Sequence, residues 1–230
     1  MENLTINLGV VAEVAEALQE LNEQMVFVGG ATVSLYTDDT SAGEIRPTGD
    51  IDMTVRISYS YSEWAKVEAR LSELGFKIDP FGHALCSYKY KQIPVDIMLS
   101  KDGHMGPSNK WYKVGFDNLK KVKVLTKEVY ILSAPCFLAT KFEAWNDRGR
   151  DFRTSNDFED IIYVLNNRIN IVKEVSEDNL EVRRYIQAQL KAILYHASAA
   201  EMLSCHIHPF VIEERLPILK EKINNIIELK

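Results

Sequence analysis

Nowhere in its 230 residues does the chain carry an apolar run approaching the ~20 residues that span a bilayer, which excludes a transmembrane helix from the reading. Cysteine is scarce. Cys86, Cys136 and Cys205 are far apart, odd in number and without a C-x-x-C spacing. Neither a disulfide framework nor a thiolate zinc site is expected, and the thiols read as those of a cytoplasmic protein. The start, Met1-Glu2-Asn3-Leu4, lacks basic residues and a long apolar stretch, so no signal peptide is expected. Positive charge is not in excess: 27 Lys and Arg stand against 33 Asp and Glu, a net −6. Indiscriminate binding to nucleic acid is disfavoured, because phosphate neutralisation dominates such affinity. Lys110, Lys113, Lys120, Lys121, Lys123 and Lys127 do fall in one interval with Trp111 and Tyr112. A solvated face is expected there rather than an RNA contact. There are no repeats or low-complexity segments, and the length suits one domain or two small ones.

Against that background one tripeptide stands out. Asp50-Ile51-Asp52 lies in Thr48-Gly49-Asp50-Ile51-Asp52-Met53-Thr54-Val55, where Ile51, Met53 and Val55 alternate with Asp50, Asp52 and Thr54. Such alternation predicts a strand with both carboxylates on one face. Two like charges beside an apolar face repel and resist desolvation, and a bound divalent cation resolves both problems. Oxygen-only ligands point to Mg²⁺ or Mn²⁺.

Two further stretches bear on that pair. Upstream, Met25-Val26-Phe27-Val28 reads as a buried strand, followed by Gly29-Gly30 and a helix start from Ala31. Strand, paired glycines and helix start make a cradle for phosphate, with free backbone N–H groups and a positive helix end. Downstream, Gln92-Ile93-Pro94-Val95-Asp96-Ile97-Met98-Leu99 reads as an apolar strand with one carboxylate in its middle. Taken together, Gly29 and Gly30 would hold a triphosphate. Asp50 and Asp52 would bind two Mg²⁺ ions roughly 3.5–4 Å apart, with Asp96 as third ligand and candidate base for an acceptor hydroxyl. That is an arrangement for nucleotidyl transfer from an NTP.

Gly29-Gly30, Asp50-Ile51-Asp52 and Asp96 together resemble the pattern of the DNA polymerase β-type nucleotidyltransferases. Two longer blocks, Arg46-Pro47-Thr48-Gly49-Asp50-Ile51-Asp52 and Lys141-Phe142-Glu143-Ala144-Trp145-Asn146-Asp147-Arg148 with Ser155-Asn156-Asp157-Phe158-Glu159-Asp160-Ile161, resemble the bacterial AbiEii/AbiGii-like toxin nucleotidyltransferases. The likeness covers about residues 20–168. It implies Lys141 as a cation for the triphosphate or the leaving pyrophosphate. Asp157 would orient Lys141 or bind the nucleotide, and Arg148 would touch the nucleotide or pair with Asp157 or Asp160. Thr48 would bond phosphate or orient an aspartate. Where many superfamily members carry serine after the first glycine this chain has Gly30, which leaves Ser34 as the candidate hydroxyl. The resemblance further implies a tRNA end or a protein hydroxyl as acceptor, and an antitoxin as protein partner. Two other readings stand beside it: a glycosyltransferase holding Mn²⁺ and a nucleotide-sugar on Asp-x-Asp, and a non-catalytic nucleotide- or partner-binding module on the same fold.

The expected architecture is α/β (α+β): a nucleotidyltransferase-type mixed sheet flanked by helices, with a core over 1–125 and a helical C-terminal region over 126–230 packed on it. A helix is predicted over 7–21, and strands over 25–28, 50–57, 76–79, 84–91, 93–99, 122–125 and 129–132. Residues 101–118 read as loop. Helices are predicted from Ala134, from Asn156, over 179–204 and over 217–229. In the second of these, Asp157 and Asp160 share one face.

Overall fold

A computed structural model describes residues 7–43, 45–56, 61–82, 86–100, 109–149 and 151–230, the side chain of Tyr61 excepted. The opening tetrapeptide, both ends of the expected strand limits at 57 and 84, and the glycine-rich first half of the 101–118 loop lie outside the described residues. The chain forms two compact units, one of residues up to Thr32 with Arg46–Ser133, the other of Val33–Ile45 with Ala134–Lys230.

The first unit is organised by one mixed sheet. In chain order its strands are β1 (Met25–Val28), β2 (Ile51–Val55), β3 (Phe76–Ile78), β4 (Ser87–Tyr90), β5 (Ile93–Leu99), β6 (Lys120–Val124) and β7 (Lys127–Ile131). They lie side by side in the order β3-β4-β5-β2-β1-β7-β6. β1 runs antiparallel to β2 and parallel to β7, and β2 runs parallel to β5. The unbroken apolar run Met25–Val28 is buried throughout, as a strand inside a covered sheet requires. In β2 and β5, Ile51, Met53, Val55, Val95 and Ile97 lie in the core and Asp52 and Asp96 are half-buried, while Thr54 on the face of Asp52 is buried. The two edge strands differ: β3 is three residues long, and β6 carries Lys120, Lys121 and Lys123 exposed, both devices that discourage pairing with another chain.

Helices α1 (Leu8–Ala17), α2 (Tyr61–Glu73) and α3 (Trp111–Gly115) complete this unit. The Asn7 side chain accepts hydrogen bonds from the Gly9 and Val10 amides and starts α1. The helix expected to reach residue 21 ends earlier. Gln19 takes a left-handed φ of 49°, and a 3₁₀ turn over Gln19–Gln24 follows. In the expected loop, Trp111 and Tyr112 are buried in a short helix instead, while Lys113 stays exposed. Trp111 and Tyr112 are therefore core residues of the lysine-rich interval.

The second unit contains α4 (Ala134–Arg148), α5 (Asn156–Asn167), α6 (Ile171–Glu177), α7 (Leu180–Leu194), α8 (Ala199–Ser204) and α9 (Ile212–Glu228). Phe137, Leu138, Phe142, Phe158, Ile161, Leu165, Ile186, Leu190, Leu219, Ile223 and Ile226 form its core, all fully buried. Two expectations are corrected. The single helix over 179–204 is two, because the chain turns at 195–198, where the Ser198 amide bonds the His196 ring. The last helix starts five residues before Pro217, which sits within it with no N–H to give to Glu213. Residues Val33–Ile45 are tied down by this unit's own side chains. Tyr36 stacks on Phe137 with ring centroids 4.3 Å apart. Thr37 bonds the Asn167 carbonyl, Tyr163 bonds that of Gly43, and Arg215 pairs with Asp39 at 2.5 Å. Among the described residues no helix is long and apolar enough to cross a membrane.

Candidate active site

Strand register assembles the acidic site. Asp52 stands opposite Val28 of β1 on one side and opposite Asp96 of β5 on the other. Asp50 is two residues before Asp52 and so shares its face. Asp50, Asp52 and Asp96 each offer a carboxylate oxygen, and these three atoms lie within 4.8 Å of one another. At that separation and an effective dielectric of about 20, each pair of charges repels by about 3 kcal/mol. The donor set is hard and oxygen-only, half-buried, and close enough for one cation to touch all three, so it fits Mg²⁺ or Mn²⁺.

Each carboxylate has a local support. The Thr48 hydroxyl donates to Asp50 Oδ1 at 3.2 Å. Ser87 donates to Asp96 Oδ1 at 2.6 Å. Asp52 lies directly over Gly29: a Cβ on Gly29 would come within 1.9 Å of Asp52 Oδ2 and 2.7 Å of its Cγ. Gly29 also has φ +71°, so both space and backbone select glycine there. A Cβ on Gly30 would meet Arg46 Nη2 at 3.1 Å and Thr48 Oγ1 at 3.2 Å. The paired glycines thus let one acid, one guanidinium and one hydroxyl close onto the backbone.

After the glycines the short helix expected from Ala31 takes the form of a 3₁₀ turn over Gly30–Tyr36. The Thr32 amide and hydroxyl both bond the Gly29 carbonyl, three residues back, and this tightens the turn. Ser34 is half-buried in the same turn. Cys86 is buried beside the acids. Its thiol is pushed up to about 11, first by burial and then by the negative charge of Asp96, with Asp52 adding to it.

The helical unit carries its own charge cluster. Lys141 Nζ lies 2.7 Å from Asp160 Oδ2 and 3.2 Å from Asp157 Oδ1, and Arg148 Nη1 lies 2.5 Å from Asp157 Oδ2. Lys141, Asp157 and Asp160 are buried. The three-residue spacing of the aspartates on α5 puts both on one face, and Ser155 caps that helix by accepting from the Phe158 amide. Two cations and two carboxylates balance. We expect Lys141→Met to lower the free energy of unfolding by about 3 kcal/mol, because it takes the cation 2.7 Å away from buried Asp160 and leaves buried Asp157 to the more exposed Arg148. A urea midpoint within about 1 kcal/mol of the parent would show the cluster to be dispensable to the fold.

Ser87, Arg46 and Thr32 were not among the site residues read from sequence. Ser87 was within reach: pairing Tyr90 with Ile93 across the β4–β5 hairpin and counting outward puts Ser87 opposite Asp96. Arg46 gave no signal beyond its place four residues before Asp50, because nothing local says that its side chain turns towards Gly30.

No protein-family model matches the chain, and neither does any curated protein sequence. Solved structures do. An antigenic nucleotidyltransferase-like protein from Paracoccidioides brasiliensis is 15% identical, with 95% of this chain and 92% of that one covered and a TM-score of 0.51. JHP933 from Helicobacter pylori is 10% identical over 96% and 87%, with a TM-score of 0.45. The likeness to the P. brasiliensis protein gives the fold: a nucleotidyltransferase-like mixed sheet flanked by helices.

Proposed function

We propose that the chain is a nucleotidyltransferase that moves a nucleotide from an NTP to an acceptor hydroxyl or phosphate, with release of pyrophosphate. The observation that carries the reading is the meeting of Asp50, Asp52 and Asp96 within 4.8 Å, with Asp52 laid against the Gly29 backbone. Asp50, Asp52 and Asp96 would hold Mg²⁺ or Mn²⁺, which when bound would neutralise phosphate charge and make the attacking hydroxyl more acidic. Gly29 and Gly30 bring no side chains of their own, which leaves room for the Asp52 carboxylate at Gly29 and for Arg46 and Thr48 at Gly30; their role as a triphosphate cradle rests on the resemblance. Arg46, beside Gly30, supplies positive charge for the same phosphates. Asp96 serves better as a ligand than as a base, since the Ser87 hydroxyl already stabilises its charged form. The nucleotide roles of Ser34, Thr48, Lys141, Arg148 and Asp157 rest on the resemblance, and their geometry is that given above. So do the finer identity of an AbiEii/AbiGii-like toxin, a cytoplasmic setting, an antitoxin partner, and a tRNA end or protein hydroxyl as acceptor. The nucleotidyltransferase-like fold and the third carboxylate favour this chemistry over glycosyl transfer.

The test is incubation of the protein with each labelled NTP and Mg²⁺, with total tRNA in one arm and cell lysate in the other. Label is expected in one macromolecular fraction, dependent on metal and absent with Asp52→Asn. Absence of transfer from all four NTPs, together with absence of metal-dependent NTP binding by calorimetry, would overturn the reading. NTP binding without transfer would support the non-catalytic module instead.

A further inference from the structure

We propose that Ser87 is a positioning residue for the metal site: its hydroxyl fixes the Asp96 carboxylate so that one oxygen stays turned to the cation. The inference rests on the proposed metal-dependent reading of Asp50, Asp52 and Asp96. Ser87 is opposite Asp96 in the β4–β5 register, and its Oγ lies 2.6 Å from Asp96 Oδ1. Only 4% of Ser87 is exposed, so its hydroxyl bonds protein in preference to bulk water.

The serine is itself held in place. Its carbonyl accepts from the Asp79 amide at 2.8 Å, and the turn from Asp79 to Gly82 closes with the Gly82 amide on the Asp79 carbonyl at 3.1 Å. Lys89, one strand residue pair away, bonds the Asp79 carboxylate at 2.9 Å and pins that turn. Gly82 then sits against the Ser87 side chain so closely that a Cβ there would lie 2.1 Å from Ser87 Cβ and 2.4 Å from its Oγ. The side of Ser87 facing Gly82 is therefore filled by backbone, and the hydroxyl is directed to Asp96.

A carboxylate among two others within 4.8 Å tends to rotate away from them. A charge-assisted hydrogen bond to Oδ1 opposes that rotation, and it leaves Oδ2 for a ligand. Partners one shell beyond metal ligands typically account for 10- to 100-fold in metal affinity.

The full chain is titrated with Mn²⁺ alone, following the loss of the free-ion electron paramagnetic resonance signal, with thermal melting as a check on folding. Ser87→Ala is expected to weaken Mn²⁺ binding about tenfold or more while melting like the parent without metal. Ser87→Cys, close in size and a poor donor, is expected to fail to restore it. Gly82→Ala keeps the hydroxyl, but its methyl would meet Ser87 Cβ at 2.1 Å, so it is expected to shift the serine, melt lower and weaken Mn²⁺ as well; Ser87→Cys decides the matter if Ser87→Ala does not fold. A parent that binds Mn²⁺ and a folded Ser87→Ala that binds it equally well would overturn the role of Ser87 and leave the metal site standing. A parent that does not bind Mn²⁺ would overturn both.

Discussion

Asp52→Asn is expected to abolish metal-dependent NTP binding while making the metal-free protein more stable. The two effects have one cause. Asp52 is the middle carboxylate of the three, paired in register with Asp96 and two residues from Asp50. Removing its charge leaves two carboxylates, too few to hold a divalent cation against water at ordinary concentrations. The loss in metal-dependent transfer is expected to be at least about a hundredfold, the size of effect seen when a group that stabilises transferring charge is removed. Without metal the sign reverses. Asparagine keeps the shape that packs over Gly29 but no longer repels Asp50 and Asp96, which is worth about 1 kcal/mol at a half-exposed site. Melting curves in EDTA and in Mg²⁺ with NTP read both effects. The parent should melt higher with ligand than without, and Asp52→Asn should melt slightly above the parent in EDTA and show no ligand shift. A variant that gains the same ligand shift as the parent would separate Asp52 from the metal.

Much of this site was legible because strands have a period of two. The alternation in Ile51–Val55 and in Ile93–Leu99 fixed which face each aspartate would share, and the burial follows it except at Thr54, which is buried on the aspartate face, and Leu99, which is half-buried on the apolar one. What the period does not give is which strand lies beside which. The parallel pairing of β2 with β5, residues 51 with 95 and 52 with 96, joins segments more than forty residues apart, and no local signal encodes it. Asp96 was assigned to the site from chemistry, as an acid in need of partners, and the pairing supplies the geometry. Helices were legible where an apolar stripe was long, as in α4 and α5. They were misread where one backbone angle decides: Gln19 at φ 49° ends α1 early, and the turn at 195–198 divides α7 from α8. α6 is short, with only Ile171 and Val175 buried, too little periodicity to announce a helix. Lys141, Asp157 and Asp160 show a different limit. The spacing put Asp157 and Asp160 on one helix face, but the approach of Lys141 to both and the depth of burial of all three depend on tertiary packing.

Among the three glycines at residues 29, 30 and 49, Gly29→Ala should be the most damaging, and its neighbours set the scale. At Gly29 two independent penalties add. An alanine at φ +71° costs about 1–2 kcal/mol relative to glycine. Its methyl would also stand 2.8 Å from the Asp52 Cβ, an atom fixed by strand backbone, so rotating the carboxylate away is not enough and β1 or β2 must shift. Strain of that kind costs typically 1–3 kcal/mol, for a total of about 2–5 kcal/mol. Gly30 meets only the ends of the Arg46 and Thr48 side chains, at 3.1 and 3.2 Å, and these can move. Gly30→Ala is therefore expected to fold with a loss nearer 1 kcal/mol but to weaken NTP binding, because it displaces the guanidinium assigned to phosphate. Gly49, adjacent to Asp50, would meet nothing within 4 Å and has no left-handed φ. Gly49→Ala should be neutral or slightly stabilising, since alanine has less freedom to lose on folding. Urea unfolding of the three variants should rank them 49, 30, 29 in increasing destabilisation. Equal stability of Gly29→Ala and Gly49→Ala would mean that the Asp52 carboxylate does not rest on the Gly29 backbone, and that contact is what holds the acidic strand against the phosphate cradle.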